Sequence, residues 1–386
     1  MTESLFWISI AAILYTYAGY PIFVSLLARL RKREVRKAVI SPPVSVVIAC
    51  HNEQHNIERR ITNLLQCDYP AELMQIVIVS DGSTDGTAEA GLRSAAYDSA
   101  NNVKLIAYEN QRGKATALNV GVEAAAGEII VFADARQSFE PTVIKELASN
   151  FADSTVGAVS GELLLDTGGG ASVGEGVGLY WKYEKWIRKS ESRAGSTIGA
   201  TGAIYAIRRA LWRPLPENTI LDDVYTPMGI ALAGHRVVFD EKARAHDINT
   251  DSARREFARK VRTLTGNYQL CQLMPRLLVP DSLLLLQFYS HKLMRLASPI
   301  IFLLLFVTNL IITASSSGVS QLLYQAAFCG QLLFYAGVLA GGYLLKRNRK
   351  VRLLNFAYVF SLMNAAALVG LVYFVLGKRN VWARSE

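Results

Sequence analysis

The 386-residue sequence predicts an α/β domain flanked by membrane-spanning helices. Two observations carry this expectation. Between Val44 and Tyr268, short β-rich runs alternate with segments of helical spacing, the pattern of parallel strands joined by crossover helices. On either side of that stretch lie apolar runs long enough to cross a bilayer.

In chain order, Leu5 to Leu30 comes first and is nearly uncharged. At ~1.5 Å per residue such a run spans a ~30 Å hydrocarbon core. Arg29, Arg31, Lys32, Arg33, Arg36 and Lys37 follow the apolar run rather than precede it. That order disfavours a cleaved signal peptide and places the N-terminus outside and the rest of the domain inside. Strands are expected at Val44–Ala49, Ile76–Ser80, Val103–Tyr108, Ile129–Ala133 and Val156–Gly161, with helices at Asn56–Gln66 and Thr84–Ser94 among them. Polar side chains crowd the C-terminal ends of these strands, where open α/β sheets bind ligands. Gly168–Gly170 marks a flexible loop.

After Pro280 the apolar texture returns. Ser282 to Leu296 carries His291, Lys292 and Arg295 among leucines and aromatics, which reads as an amphipathic helix lying at the membrane interface. Spans are expected at Ala297–Ala314, Leu322–Leu345 and Leu353–Leu376, the last two separated by Lys346, Arg347, Arg349, Lys350 and Arg352. One leading and three trailing spans put Lys378, Arg379 and Arg384 outside, against the positive-inside tendency. A re-entrant last segment or a spanning Ser282–Leu296 helix would remove the conflict; otherwise the positive-inside tendency fails here. The expected division is a first span and basic flank at 1–37, a cytoplasmic domain at 43–271, the interfacial helix at 276–296 and the trailing spans at 297–378.

Composition agrees with this division. At 51% hydrophobic and 19% charged, the chain is greasy for a soluble enzyme and too charged for a pure transporter. Its net charge of +9 is gathered beside the apolar runs, where it meets anionic lipid. The basic clusters lack the interleaved aromatics of a nucleic-acid module. Four cysteines, Cys50, Cys67, Cys271 and Cys329, show neither CxxC nor zinc spacing and read as ordinary thiols of a reducing compartment.

The chemistry-bearing residues sit at strand ends. Val44–Ala49 runs into Cys50-His51-Asn52-Glu53, and Ile76–Ser80 into Asp81-Gly-Ser-Thr-Asp85-Gly-Thr, with Ser83 or Thr84 suited to cap the next helix. Each end offers a carboxylate beside exposed backbone N–H groups, the acceptors and donors that a nucleobase and ribose require; a plain capped loop has the same residues. Arg112-Gly-Lys114 at a helix start suits phosphate, or is a solvated basic turn. Ile129–Ala133 delivers Asp134, followed by Ala135 and Arg136. Asp222 and Asp223 head a helical stretch ending near Gly234, either as a capping pair or with one of them accepting a proton from a sugar hydroxyl. Trp181, Tyr183 and Trp186, within a helical stretch at Gly178–Lys189, suit either sugar stacking or a membrane interface. No GxGxxG turn follows the first strand, which argues against a dinucleotide-binding enzyme.

The order of these motifs resembles that of the family 2 glycosyltransferases, in particular the membrane-embedded branch with the cellulose, chitin, hyaluronan and poly-N-acetylglucosamine synthases. The HNE turn, SDGSTDGT, RGK, the acid after VFA, GATGAIYAIRR, LDD and Arg259-Lys-Val-Arg262 fall in sequence between about Pro43 and Cys271. The resemblance implies a glycosyltransferase A-type nucleotide-sugar-binding domain. It puts His51, Glu53, Asp81, Arg112, Lys114, Asp134 and Arg262 on the donor, with Asp81 at the base and Asp134 at the ribose or metal-diphosphate. Gly199, Thr201 and Gly202 fall in the loop lining the acceptor, and Asp223 is the general base with Asp222 beside it.

Two departures accompany the resemblance. The family's aspartate–any–aspartate metal motif reads Asp134-Ala135-Arg136, and arginine does not ligate a cation. Asp134 is then the expected ligand for Mg²⁺ or Mn²⁺, and His246 a further candidate that as a lone histidine also suits a structural place. The glutamine–x–x–arginine–tryptophan motif reads Arg259-Lys-Val-Arg262-Thr263, without the tryptophan that holds the acceptor sugar. The activity implied is an inverting transfer from a nucleotide sugar, with UDP favoured by the resemblance, to a saccharide or lipid-linked acceptor in a cell membrane. Single-sugar transfer to a lipid carrier and a catalytically silent membrane scaffold are the alternatives.

Overall fold

The computed structural model describes residues 1–96, 102–166, 174–248, 253–315, 319–347, 349 and 351–377. Gly168–Gly170, Lys350, Lys378, Arg379 and Arg384 lie outside them. The chain folds as two units, one of residues 28–168 and 188–250 and one of residues 1–27, 169–187 and 251–383.

In chain order the elements are α1 (Thr2–Leu14), α2 (Tyr20–Arg31), β1 (Val44–Cys50), α3 (Gln54–Leu65), β2 (Met74–Asp81), α4 (Thr87–Ala96), β3 (Val103–Tyr108), α5 (Lys114–Glu123), β4 (Ile129–Ala133), β5 (Ser138–Phe139), α6 (Val143–Ser149), β6 (Val156–Asp166), α7 (Gly174–Ala194), β7 (Ile204–Arg208), α8 (Asp222–Leu232), β8 (Arg236–Ile248), α9 (Ala253–Leu273), α10 (Leu283–Phe288), α11 (Met294–Ser315), α12 (Val319–Lys346) and α13 (Arg352–Val375).

The strands form one eight-stranded sheet in the order β3-β2-β1-β4-β7-β6-β8-β5. β3, β2, β1 and β4 are parallel neighbours, as the alternation of strands and helices requires. The second half departs from an all-parallel series. β7 inserts antiparallel between β4 and β6, and β5 closes the far edge antiparallel to β8. The turn chemistry along the sequence does not reveal this order, because it depends on pairing between distant segments.

Both faces of the parallel half are buried, so β1 is buried along its whole length and apolar but for Ser45, not alternating. Val46 and Ile48 face Ile57 and Leu64 of α3, while Val47 and Ala49 face Ala117 and Leu118 of α5. The register sets Cys50 beside Ser80, Ile48 beside Ala133 and Ala133 beside Ile204. The carboxyl ends of β1, β2 and β4 and the start of β7 therefore lie along one edge of the sheet.

The other unit is helical. Among the described residues, four helical runs, Thr2–Arg31, Leu283–Ser315, Gln321–Lys346 and Arg352–Val375, are long and apolar enough to cross a membrane. Leu322, Leu333 and Leu339 of α12 are more than half exposed, as expected of side chains meant for hydrocarbon. The sequence separates an interfacial Ser282–Leu296 helix from the span after it; the structure joins α10 and α11 through a π-helical turn, Tyr289–Leu293. Two of its polar side chains are engaged within the helical unit. His291, buried, lies 3.1 Å from a carboxylate oxygen of Glu184 on α7, and Arg295 pairs with the other oxygen. Tyr183 donates to the Tyr17 carbonyl at 2.8 Å, and Lys260 lies 5.6 Å over the Trp181 ring, so these aromatics pack within the helical unit.

Candidate active site

The turns after β1 and β2 are built as a pair. Asn52, at φ +56°, donates its amide to Ser83 Oγ at 3.1 Å, and its side-chain oxygen accepts the Thr84 amide at 2.8 Å. Ser83 and Thr84 thus join the two turns, and the start of α4 is capped instead by Asp85, which accepts the Thr87 amide at 3.0 Å. His51 Nδ1 sits 2.7 Å from the Asp81 carbonyl. Glu53 takes a hydrogen bond from the Asn56 amide group at 2.6 Å, and burial pushes its carboxyl up despite that bond. Burial, with Glu53, Asp85 and Asp81 nearby, pushes the Cys50 thiol up to about 12, so it stays protonated and inert.

Asp81 is fully buried at the end of β2. Its carboxylate accepts the amide of Arg112 at 2.7 Å and the amide of Gly113 at 2.8 Å. It braces the turn that starts α5. Two glycines make the arrangement feasible: Gly113 has φ +93°, and Gly82, at φ +61°, lies so close to the next turn that a Cβ would meet the Gln111 nitrogen at 2.3 Å.

That turn delivers Lys114 between two acids. Lys114 Nζ lies 3.3 Å from Asp134 Oδ1 and 3.4 Å from Asp222 Oδ1. The acids differ in setting, since the Asp134 side chain is 37% exposed and that of Asp222 is 7%. Asp222 Oδ2 faces the hydroxyl of Tyr205 at 3.5 Å. Tyr205 is fully buried and stacked 4.5 Å from Phe132. Burial, with Asp222 and Asp223 adjacent, holds its hydroxyl well above the ordinary tyrosine range, so it remains a donor.

Asp223, half-buried at the head of α8, accepts the Gly202 amide on Oδ2 at 3.1 Å, and its carbonyl accepts the Ala200 amide at 2.8 Å. The 199–202 loop is thus tied to the acid pair by main chain. Gly199 abuts Val224, where a Cβ would stand 3.3 Å from a methyl group. Thr201 donates its amide to Ser160 Oγ at 3.0 Å and accepts Arg188 at 2.8 Å. His51, Glu53, Asp81, Arg112, Lys114, Asp134, Asp222, Asp223 and the 199–202 loop therefore form one contiguous edge of the sheet. Arg262 lies on α9, in the helical unit.

Arg136 is committed to an ion pair. Its guanidinium donates to both oxygens of buried Asp247, at 3.1 and 2.8 Å, and Gln137 donates to the same carboxylate at 3.1 Å. His246 lies instead 3.1 Å from Glu140. The sequence singles out neither Asp247 nor Tyr205. One comes after His246 on β8, and the other sits inside GATGAIYAIRR, and neither has a local pattern that marks its partner.

Residues 45–212 match the model of the glycosyl transferase family 2 domain. The chain carries a family 2 glycosyltransferase domain. The match runs from β1 through β7 and stops short of the Asp222–Asp223 pair. Over 213 residues the chain is 30% identical to glycosyltransferase AglE of Haloferax volcanii, an alignment covering 54% of this chain and 66% of AglE. Over 273 residues it is 22% identical to the poly-β-1,6-N-acetyl-D-glucosamine synthase of Staphylococcus epidermidis, covering 69% of this chain and 63% of the synthase. The chain thus spans just under two thirds of the length of these relatives. Among solved structures, the mannosyltransferase PcManGT from Pyrobaculum calidifontis, determined with GDP-Man and Mn²⁺, superposes with a TM-score of 0.72 at 23% identity, over 97% of this chain and 99% of that one. The likeness is one of fold, and the chain has the glycosyltransferase A-type α/β architecture.

A divalent cation suits this edge in one way only. Among the described residues, no three His, Cys, Asp or Glu side chains gather into a cage. Mg²⁺ at phosphate sites commonly takes one or two carboxylates and completes its shell from substrate phosphates and water, and Mn²⁺ favours the same oxygen ligands. Asp134, partly exposed at the end of β4, fits that role; Arg136, tied to Asp247, does not.

Proposed function

We propose that this transferase moves a sugar from a nucleotide-sugar donor, with UDP as the expected nucleotide, onto a saccharide or lipid-linked acceptor at a membrane. The carrying observation is that Lys114 is held between Asp134 and Asp222 while the adjacent Asp223 rests on the Gly202 amide. One edge of the sheet therefore offers a cation for a departing diphosphate and, next to it, a carboxylate for an acceptor hydroxyl.

The reaction is an inverting single displacement. Asp223 takes the proton from the acceptor hydroxyl, whose oxygen attacks the anomeric carbon. The bond from that carbon to the β-phosphate oxygen breaks, and the nucleoside diphosphate leaves from the opposite face. Lys114 stabilises the charge that develops on it. Asp81 serves the donor through the Arg112–Gly113 turn that it holds, next to the His51 and Glu53 turn. A divalent ion bound by Asp134 and the donor phosphates would neutralise diphosphate charge. The part of Arg262 on the leaving group rests on the Arg259–Arg262 motif alone.

The four apolar runs anchor the chain as a multi-pass protein of the plasma or inner membrane, with the basic residues from Arg29 to Lys37 on the cytoplasmic side. Relatives that are polysaccharide synthases favour a growing polymer as acceptor. Thr263, in place of the acceptor-holding tryptophan, favours single-sugar transfer to a lipid carrier. The test is to incubate membranes carrying the protein with Mg²⁺ or Mn²⁺ and radiolabelled UDP-Glc, UDP-GlcNAc and GDP-Man, and to size the labelled product. A polymer supports the synthase reading and a single-sugar lipid the second; no incorporation above an Asp223→Asn control from any donor overturns the proposal.

A further inference from the structure

We infer that Lys114 is a resident counter-cation of the donor site, tethered by Asp222 and displaced from Asp134 when a divalent ion arrives with the donor diphosphate. The inference deepens the proposed function and rests on it for the identity of the diphosphate.

The geometry is nearly symmetric but the two acids are not. Lys114 Nζ stands 3.3 Å from Asp134 and 3.4 Å from Asp222. Asp222 is the fixed arm, for its side chain is 7% exposed and its second oxygen faces, at 3.5 Å, the hydroxyl of Tyr205, which is buried and stacked on Phe132. Asp134 is the open arm at the strand end, and the only acid of the family's two-acid motif that this chain retains. An ammonium and a divalent ion repel strongly at neighbouring sites on one carboxylate, so an ion approaching Asp134 must first drive Lys114 off it. Asp222 retains Lys114 when that happens, and the incoming diphosphate gives the ammonium a new anion. Tyr205 and Asp222 are then positioning residues, acting through Lys114.

This arrangement couples the two ligands. Without a nucleotide the ion competes with a built-in cation and binds weakly; with a nucleoside diphosphate present, the displaced lysine is satisfied and the ion binds tightly. The coupling is reciprocal.

The experiment is Mn²⁺ binding to the detergent-solubilised full-length protein, read from the EPR signal of free Mn²⁺, with and without UDP or GDP. The wild-type protein should bind Mn²⁺ at least about tenfold more tightly with the matching nucleotide than without it. Lys114→Met should bind Mn²⁺ alone about tenfold more tightly than wild type, and the nucleotide should then improve it less than about threefold. Lys114→Gln keeps a polar, hydrogen-bonding side chain without the charge and carries the same expectation should Lys114→Met fail to fold. Asp222→Asn, with Lys114 left to Asp134, should weaken Mn²⁺ binding in the absence of nucleotide. Asp134→Ala should abolish binding in every case. Equal Mn²⁺ affinity in wild type, Lys114→Met and Lys114→Gln without nucleotide overturns the inference, as does wild-type binding that nucleotide does not improve. A protein that transfers sugar yet shows either result loses the counter-cation and keeps the function; one that shows the coupling yet transfers nothing does the reverse.

Discussion

The carboxylate of Asp223 accepts the backbone amide of Gly202 at 3.1 Å, so the candidate base is aimed by the very loop expected to line the acceptor. That bond is made by Oδ2. Replacing Asp223 by Asn keeps the shape and removes the basicity. Turnover should fall by roughly 100- to 10,000-fold with donor affinity unchanged, and an unaltered turnover would remove Asp223 from the mechanism. At Gly202 an added Cβ would stand 3.1 Å from Asp223 Oδ2. Gly202→Ala should therefore displace the base slightly and lower kcat by about tenfold, with little change in the donor KM. Steady-state kinetics on the donor identified by product sizing checks both.

Gly82 and Gly113 both have positive φ, yet alanine should affect them very differently. At Gly113 nothing lies within 4 Å of the place a methyl group would take, and only the backbone conformation, φ +93° with ψ 155°, resists, at about 1–3 kcal/mol. At Gly82 the methyl would collide with main chain of the 110–111 turn as well, and the loss should be about 3 kcal/mol or more. Denaturation of the two variants measures the difference; similar losses would mean that the two turns are not packed backbone to backbone.

Arg136 and Asp247 make a testable stability pair. Asp247 is buried and Arg136 is 42% exposed, so removing the arginine strips a buried carboxylate of its guanidinium and leaves Gln137 donating to it. Arg136→Ala should cost about 2 kcal/mol. Arg136→Asp, which restores the family's second acid, should cost more and should not strengthen Mn²⁺ binding, since it sets another carboxylate beside Asp247 in place of the arginine. A stable Arg136→Asp protein with raised Mn²⁺ affinity would contradict the structural role of this pair.

Asp85 sets an acid limit on the paired turns. Burial acts to raise its pKa, but the Thr87 hydroxyl and the amides of Gln54 and Thr87 outweigh burial and hold the carboxyl below its usual value of 3.8. A lowered folded pKa means that the unfolded chain takes up the proton first as pH falls. The stabilisation is therefore complete above the unfolded value and is lost as pH falls through the lower folded one. The stability gap between wild type and Asp85→Ala should be constant above about pH 5 and narrow below about pH 4. Thermal denaturation across that range reads it, and a gap that widens on acidification would reverse the sign.

The sequence by itself determined the parallel strands, the polar turns at their ends and the apolar runs. Each of these is written locally. A buried strand is a short apolar run, Gly82 and Gly113 mark turns by their freedom at positive φ, and a bilayer demands an unbroken length of apolar helix. Tertiary structure alone decided which charges meet. Arg136 finds Asp247 across 111 residues, Lys114 finds Asp222 as well as Asp134, and the polar residues His291 and Arg295 turn to Glu184 on another helix. It also decided that Asp81 spends both oxygens on the main chain of the next turn, and that β7 lies between β4 and β6. The physical reason is common to all of these. A side chain's period and type fix the face it occupies, but its partner is set by sheet order and chain crossing, and these follow from the sum of many distant contacts.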